Sequence, residues 1–242
     1  MFPTICQIGP FTVYSYGFML AVAIIVCTFL LRKDAQKAGV NPEIISDLIF
    51  WLAIGGIIGA RIFYILTFLP VFIENPLEMI MIQHGGLSWQ GGLIAGCLSG
   101  IWFVRKHKLD VLKTLDLTAP YLALGQAIGR IGCFLNGCCY GKEVPWGVYF
   151  PNLGEHVHPT QMYDAVGLLM IFLALKWFQK HNAVKGKIFV FYLFLAPLLR
   201  FVIEFFRADH TELYGGLSLY QVVCLLLITA AVAMNQILKK KT

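Results

Sequence analysis

Long apolar stretches recur along the whole chain and are separated by short polar segments. Seven of these stretches approach the length of about 20 residues that a helix needs to cross a bilayer. They lie at 13–31, 46–70, 87–104, 115–137, 161–179, 188–206 and 217–238. The pattern predicts an all-α polytopic membrane protein with seven transmembrane helices, built as a single integral-membrane domain over residues 1–242.

Lysine and arginine are concentrated in four of the segments between or after the predicted spans. The four groups are Arg32, Lys33 and Lys37; Arg105, Lys106, Lys108 and Lys113; Lys176, Lys180, Lys185 and Lys187; and Lys239, Lys240 and Lys241. They hold 14 of the 19 basic residues, and all four fall on one side of the predicted topology. By the positive-inside rule that side is cytoplasmic. We therefore expect the N-terminus outside and the C-terminus in the cytoplasm.

The overall composition agrees with a membrane protein. Of the 242 residues, 58% are hydrophobic and 13% are charged, whereas a soluble domain carries about 25% charged residues. This excludes an ordinary soluble enzyme and any disordered or fibrous class. The net charge of +6 comes mainly from the basic groups between the spans, so nucleic acid is not an expected partner.

Three arginines lie deep within predicted spans, where a charge is costly and marks a functional site by default. At about 1.5 Å per residue, Arg61, Arg130 and Arg200 lie roughly 24, 22 and 18 Å from the cytoplasmic surface of a ~30 Å core. Arg207 is expected at the outer surface. Structural ion pairing is one interpretation, because Glu204 lies four residues after Arg200 and three before Arg207.

An external anion is the other interpretation of the deep arginines. One acid cannot neutralise three buried guanidinium groups, and the planar fork of arginine matches phosphate. The natural phosphate at the outer edge of a bilayer is a phospholipid headgroup. Other polar residues at similar depth are Tyr16, His158, Gln161, Tyr163 and Asp164. We expect Asp164 and Glu204 to hold a guanidinium in place or to orient a substrate hydroxyl.

The chain also contains specific local motifs in a fixed order. They read Tyr16-Gly17, Gly59-Ala60-Arg61, GGLSWQGG at 85–92, GRIGCFLNGCCYG at 129–141, HPTQMYD at 158–164 and RFVIEFFR at 200–207. With these motifs the chain resembles the bacterial phosphatidylglycerol–prolipoprotein diacylglyceryl transferases. The resemblance covers nearly the whole chain and includes the same seven-span plan.

The resemblance implies a reaction, its substrates and its location. The diacylglyceryl group of phosphatidylglycerol would pass to the thiol of the lipobox cysteine of a prolipoprotein, and glycerol phosphate would be released. This is the first step of lipoprotein maturation, and the implied partners are phosphatidylglycerol, other membrane lipid and prolipoprotein signal peptides. The implied location is the bacterial cytoplasmic (inner) membrane, with the active site facing the outer leaflet. No cofactor and no metal are expected.

The resemblance, together with the depth argument, also assigns site residues. Arg130 and Arg200 match the two key arginines of the family, and Tyr16 and Glu204 complete the predicted catalytic set. The predicted substrate-binding residues are Arg61, Gln90, Arg130, Cys133, Asn136, Gly137, Cys138, Gly141, His158, Gln161 and Tyr163.

The sequence departs from the pattern of the family at several of these positions. Gln90 stands where the family typically has histidine, and glutamine cannot act as a general base near neutral pH. His84, in the outer connection before Gln90, is a candidate replacement base. Cys133 and Cys138 replace an amide and a carboxylate, and Asp164 replaces the longer glutamate. The phosphate-binding half of the site is therefore better preserved than the nucleophile-activating half.

Three interpretations of these departures stay open. The chain is an active, divergent transferase whose acceptor thiol ionises near the arginines without a dedicated base. Alternatively it is a paralogue that uses the same lipid donor with a different acceptor, through Cys138 or Cys139 as a covalent relay. The third alternative is a non-catalytic phospholipid-binding membrane protein, against which the preserved arginine pair argues.

The cluster of cysteines at 133, 138 and 139 has its own alternatives. Its C-x4-C-C spacing is not the usual C-x2-C pattern of zinc sites, although His156 and His158 could complete a Cys/His site. A disulfide from Cys133 to one of the other two is a second alternative if the outside is oxidising. Otherwise the thiols line the wall of the headgroup cavity.

Overall fold

The computed structural model describes residues 1–8, 11–81, 85–181, 184–208, 212–214 and 216–240. The chain within these ranges is mostly helical. The helices are α1 (Ser15–Lys37), α2 (Pro42–Thr67), the short α3 (Leu69–Glu74), α4 (Trp89–Lys106), α5 (Val111–Asn136), α6 (Thr160–His181), α7 (Lys187–Glu204) and α8 (Leu219–Lys240). Each of the seven predicted spans overlaps one long helix, so the helical pattern read from the sequence is confirmed.

Four of the long helices, α1, α2, α6 and α8, are long and apolar enough to cross a membrane. Helices α4 and α5 contain more polar and small residues, and α7, although strongly apolar, carries Lys187, Arg200 and Glu204. The structure therefore supports a multi-pass helical membrane protein. A crossing by all seven long helices stays a prediction.

Three short antiparallel hairpins occupy connections that the sequence places outside. They pair β1 (Thr4–Ile8) with β2 (Phe11–Tyr14), β3 (Glu143–Phe150) with β4 (Glu155–Val157), and β5 (Glu212–Tyr214) with β6 (Leu217–Ser218). The all-α prediction is corrected by these hairpins. Apart from β3, their strands have at most five residues, and the sequence of β3, EVPWGVYF, does not alternate regularly between apolar and polar residues.

The chain divides into two compact units, one of residues 1–31 with 112–242 and one of residues 32–111. In the smaller unit, α2 and α4 pack through glycines. A Cβ atom at Gly59 would lie 2.1 Å from the Cβ of Ala95, and one at Gly91 would lie 2.4 Å from the carbonyl oxygen of Gly59. Because no side chain fits between the two backbones, the helices approach closely, as small-residue spacing predicts.

In the larger unit, α7 is held by apolar packing along its length and by a side-chain cap at its first turn. Its residues pack against α5 and α6 in one apolar cluster and against α8 in another. The side chain of Asp116, on α5, accepts the backbone N–H groups of Gly186 and Phe189 at 2.5 and 2.9 Å. These N–H groups at the start of α7 have no partner within the helix, so Asp116 supplies the cap. The cap ties the beginning of α7 to α5.

Candidate functional site

Three arginines and two acids from α5, α6 and the end of α7 form one ionic cluster in the larger unit. Arg130 Nε lies 3.1 Å from Asp164 Oδ2, and Arg200 Nη1 lies 3.6 Å from the same oxygen. Arg200 Nη2 lies 2.7 Å from Glu204 Oε2, which is also 3.6 Å from Arg207 Nε. Asp164 therefore bridges the two arginines that the sequence ranks first. Sequence reasoning had given Asp164 only an auxiliary place.

The start of α8 positions Glu204. Ser218 precedes the helix, and its hydroxyl donates to Glu204 Oε1 over 3.1 Å. The same hydroxyl accepts the backbone N–H of Gln221, whose side-chain oxygen accepts the backbone N–H of Ser218. This reciprocal pair is a capping box. Sequence reasoning missed both residues, although the S-x-x-Q spacing before an apolar run was a readable indication.

Arg207, which helix depth places at the outer surface of the membrane, is buried within the protein. Helix α7 ends at Glu204, and the chain then turns, so that Arg207 pairs with Gly141 in an isolated β-bridge. The depth estimate assumed a straight helix beyond Glu204. The turn brings a third guanidinium into contact with Glu204.

The cluster is rich in guanidinium groups and incompletely hydrogen-bonded. Among the described residues, Asp164 and Glu204 form the ion pairs with its three arginines, in a largely buried setting. Within the described part of the chain, the buried Nη1 of Arg200 makes no hydrogen bond. A buried donor without an acceptor is costly. The arrangement is suited to an anion with several oxygens, such as a phosphate group.

Tyr16 and the motif at the end of α5 surround this cluster. Tyr16 lies in the first turn of α1, is half exposed, and is within electrostatic range of Arg130. Asn136 ends α5 and hydrogen-bonds the thiol of Cys138. Gly137 follows with φ of 75°, in the left-handed region that favours glycine. A Cβ atom at Gly141 would lie 2.5 Å from the Cβ of His158, so only glycine fits there.

His158, Gln161 and Tyr163 lie at the start of α6. Nδ1 of the buried His158 is 3.2 Å from the hydroxyl of Tyr163, and the imidazole contacts the ring of Trp146 edge-on. Gln161 is fully buried and donates from Nε2 to the carbonyl of Cys138 at 2.7 Å. Its Oε1 has no hydrogen bond to the described residues. These residues shape and support the loop after α5.

The three clustered cysteines come together at the end of α5. Their Sγ atoms all lie within 4.8 Å of one another, and each is a free thiol. Hydrogen bonds from Cys133 and Cys138, with the positive charge of Arg207, lower the pKa of the Cys139 thiol. The candidate metal partner His156 instead lies with Nδ1 3.0 Å from the carbonyl of Gly147.

Arg61 has a different environment, in the smaller unit. Its guanidinium donates to the backbone carbonyls of five residues, Glu78, Met79, Met81, Gly85 and Gly86. These contacts engage every N–H bearing atom of the group, and the rings of Tyr64 and Phe72 lie beside it. Arg61 therefore holds the connection before α4 in place. Because its N–H groups already donate to these carbonyls, Arg61 has no free donor for a substrate. We therefore do not include Arg61 among the substrate-binding residues.

The nucleophile-activating side of the predicted site is sparse. Gln90 lies in the first turn of α4, is exposed, and accepts a hydrogen bond from Ser88 Oγ at 2.6 Å. His84 lies outside the described residues. Gln90 belongs to the smaller unit, of residues 32–111.

Comparison with known proteins identifies relatives over almost the entire length. The family model described as prolipoprotein diacylglyceryl transferase matches residues 3–237. A phosphatidylglycerol–prolipoprotein diacylglyceryl transferase of Clostridium tetani is 35% identical over 235 residues, 94% of each chain. Proteins of the same name from Trichormus variabilis and Staphylococcus carnosus are 36% and 33% identical over 96% of this chain and 87% and 88% of their own.

Proposed function

Because the chain belongs to the prolipoprotein diacylglyceryl transferase family, we propose that it transfers the diacylglyceryl group of phosphatidylglycerol to the lipobox cysteine of prolipoproteins. The acceptor sulfur attacks the glycerol carbon, a C–S bond forms, and the C–O bond to the phosphate breaks. Glycerol phosphate leaves as an anion. We place this reaction in the bacterial inner membrane, at the outer leaflet.

The observation that carries the proposal is the convergence of Arg130, Arg200 and Arg207 in one largely buried cluster. Negative charge accumulates on the phosphate oxygens as the C–O bond breaks, and prearranged cationic donors lower the free energy of that state. Arg200 has a buried N–H group that lacks an acceptor in the described chain. A phosphate oxygen of the donor lipid would supply one. Asp164 and Glu204 fix the guanidinium planes before the lipid binds.

The acceptor half of the site uses no histidine base in this proposal. Cationic surroundings lower the pKa of a thiol, whose ordinary value is about 8.5. The three guanidinium groups of the arginine cluster give such surroundings. Tyr16, half exposed beside Arg130, lies where it can contact either substrate.

A complementation experiment tests the proposed function directly. A bacterium is depleted of its own diacylglyceryl transferase, the gene for this chain is expressed, and lipidation of a lipobox reporter is followed by metabolic labelling. We expect lipidation to return, and a reporter with serine in place of the lipobox cysteine to stay unlabelled. An unlabelled cysteine reporter, with the protein shown to be expressed and inserted, would overturn the proposal.

The absence of a histidine base gives a second prediction. Gln90→His should keep equal or slightly higher activity, and His84→Ala should be nearly unchanged, because neither position transfers the thiol proton. Initial rates on a lipobox peptide with phosphatidylglycerol measure this, with the exposed His107→Ala as a matched control. If His84→Ala alone loses activity while remaining folded and inserted, His84 is the base and the base-free mechanism is wrong.

A further inference from the structure

The three clustered thiols have no part in the reaction described so far. Cys133 lies in the last turn of α5, and Cys138 and Cys139 lie just after that helix. All three sulfur atoms are within 4.8 Å of one another. Sulfurs bound to one zinc ion at about 2.3 Å are roughly 3.8 Å apart in tetrahedral geometry. Only a small closing movement separates the observed cluster from a coordinating one.

The backbone around the thiols is fixed by buried neighbours. Thr160 Oγ1 donates to the carbonyl of Cys139 at 2.8 Å, and Gln161 Nε2 donates to the carbonyl of Cys138 at 2.7 Å. Cys139 has φ of 64°, in the left-handed region that non-glycine residues seldom adopt. Such a conformation persists only where its surroundings enforce it, and it is concentrated at functional sites. Here it directs a third thiol toward the other two.

We propose that Cys133, Cys138 and Cys139 bind one zinc ion through three thiolates and leave its fourth coordination position open for the thiol of the acceptor. A disulfide would use two of the sulfurs and leave the third without a role, whereas a thiophilic ion uses all three. The part that concerns the acceptor rests on the proposed transferase function. Metal binding itself does not.

The open position follows from the number of ligands. A structural zinc site has four protein ligands, whereas a catalytic site has three and keeps one position for water or substrate. In the part of the chain that the structure describes, no fourth cysteine, histidine or carboxylate joins the group. Cys133 is buried, whereas Cys138 and Cys139 are half-buried, so two of the three ligands are partly accessible.

The cluster also lies near the groups assigned to the donor lipid. Tyr16 is within electrostatic range of Arg130 and of all three thiols, and Arg207 is within range of Cys139. A thiol bound at the cluster would therefore lie on the same side of the unit as the phosphate-binding arginines. This is the arrangement that a sulfur attacking the glycerol carbon requires.

The proposed step balances without an oxidant or a reductant. On binding zinc, the acceptor thiol loses its proton to water, because a coordinating thiol is deprotonated. The resulting thiolate forms the C–S bond with its electron pair as the C–O bond breaks, and glycerol phosphate leaves with the bonding electrons. The thioether product is a weaker ligand than a thiolate, so it can leave the zinc. The zinc site would thereby generate the acceptor thiolate, which Gln90 cannot do because glutamine is not a general base.

Metal analysis of the purified, detergent-solubilised protein tests the binding site. After reduction, incubation with zinc sulfate and removal of unbound metal, we expect about one zinc ion per chain in the wild type and in Cys97→Ser. Cys138→Ser/Cys139→Ser should lose it. Cys97 lies in α4 and is a matched control for an unrelated cysteine. Equal metal content in all three proteins, or a Cys133 disulfide that survives mild reduction, would overturn the site.

Cobalt in place of zinc tests the open position, independently of turnover. A lipobox peptide should change the thiolate-to-cobalt absorption band, and a peptide with serine instead of cysteine should not. An unchanged spectrum with the cysteine peptide would overturn the acceptor role. Activity separates this proposal from the proposed function: full transfer by metal-free enzyme overturns the role of zinc in binding the acceptor thiol and leaves the transferase function intact. A zinc-loaded protein that passes the cobalt test but never restores lipidation overturns only the transferase assignment.

Discussion

Replacing Arg200 or Arg130 with lysine should lower the rate of diacylglyceryl transfer by on the order of 10²–10³, or about 2.7–4 kcal/mol of transition-state stabilisation. Lysine keeps the charge but is a point donor that cannot form the planar fork. Arg200 reaches Asp164 and Glu204 through different nitrogens, so one ammonium group cannot replace both contacts.

The rates are measured in membranes, with phosphatidylglycerol and a lipobox peptide as substrates. Arg105→Lys is the matched control, because Arg105 is an exposed arginine at the end of α4. We expect its rate to equal that of the wild type. Full activity in both Arg130→Lys and Arg200→Lys would show that no guanidinium contact stabilises the departing phosphate.

Replacing Glu204 with glutamine should destabilise the fold by about 3–5 kcal/mol, because a buried ion pair loses one partner and leaves charge uncompensated. Glu204 is the shared partner of Arg200 and Arg207. Glutamine keeps the shape and still accepts from Ser218, so lost charge rather than lost volume dominates. For a chain of this size the midpoint of thermal unfolding should fall by roughly 6–20 °C.

The measurement is thermal unfolding of the detergent-solubilised protein, followed by tryptophan fluorescence. Glu155→Gln is the control, because Glu155 is an exposed glutamate in β4, and we expect no change in its midpoint. Equal midpoints for Glu204→Gln and the wild type would mean that the arginines are not held by this carboxylate. The same result would remove its proposed role in orienting the donor site.

The helices could be predicted from the sequence because apolar length and charge placement are local properties. The start of α2 is an example: the side chain of Asn41 accepts the N–H of Glu43, and Pro42 begins the helix. The end of α1 differs, since the helix continues to Lys37, six residues beyond the apolar run. Basic residues are good helix formers, so a helix can continue beyond its apolar run. Hydropathy therefore predicts the membrane-spanning part of a helix but not where the helix ends.

The site could be predicted only in part, because its partners come from distant segments. The i, i+4 spacing identified the pair of Arg200 and Glu204. The bridge from Arg130 through Asp164 depends on how α5 and α6 pack, which no local pattern encodes. For Arg61 the sequence predicted the buried position but not the hydrogen-bond partners. Its backbone partners depend on the path of the loop after α3.

The cap that Asp116 places on the start of α7 fixes how far Arg130 and Arg200 lie along the axes of α5 and α7. Arg130 lies fourteen residues beyond Asp116 on α5, and Arg200 lies fourteen residues beyond Gly186, which Asp116 contacts. The two segments, 116–130 and 186–200, which we call the helical arms, are thus equal in length. Each is roughly 21 Å long at 1.5 Å per residue. A single-residue insertion in either arm would raise one guanidinium by about 1.5 Å and rotate it by about 100° away from its counterpart. We expect evolution to tolerate changes of side chain along these arms far more readily than any change in their length.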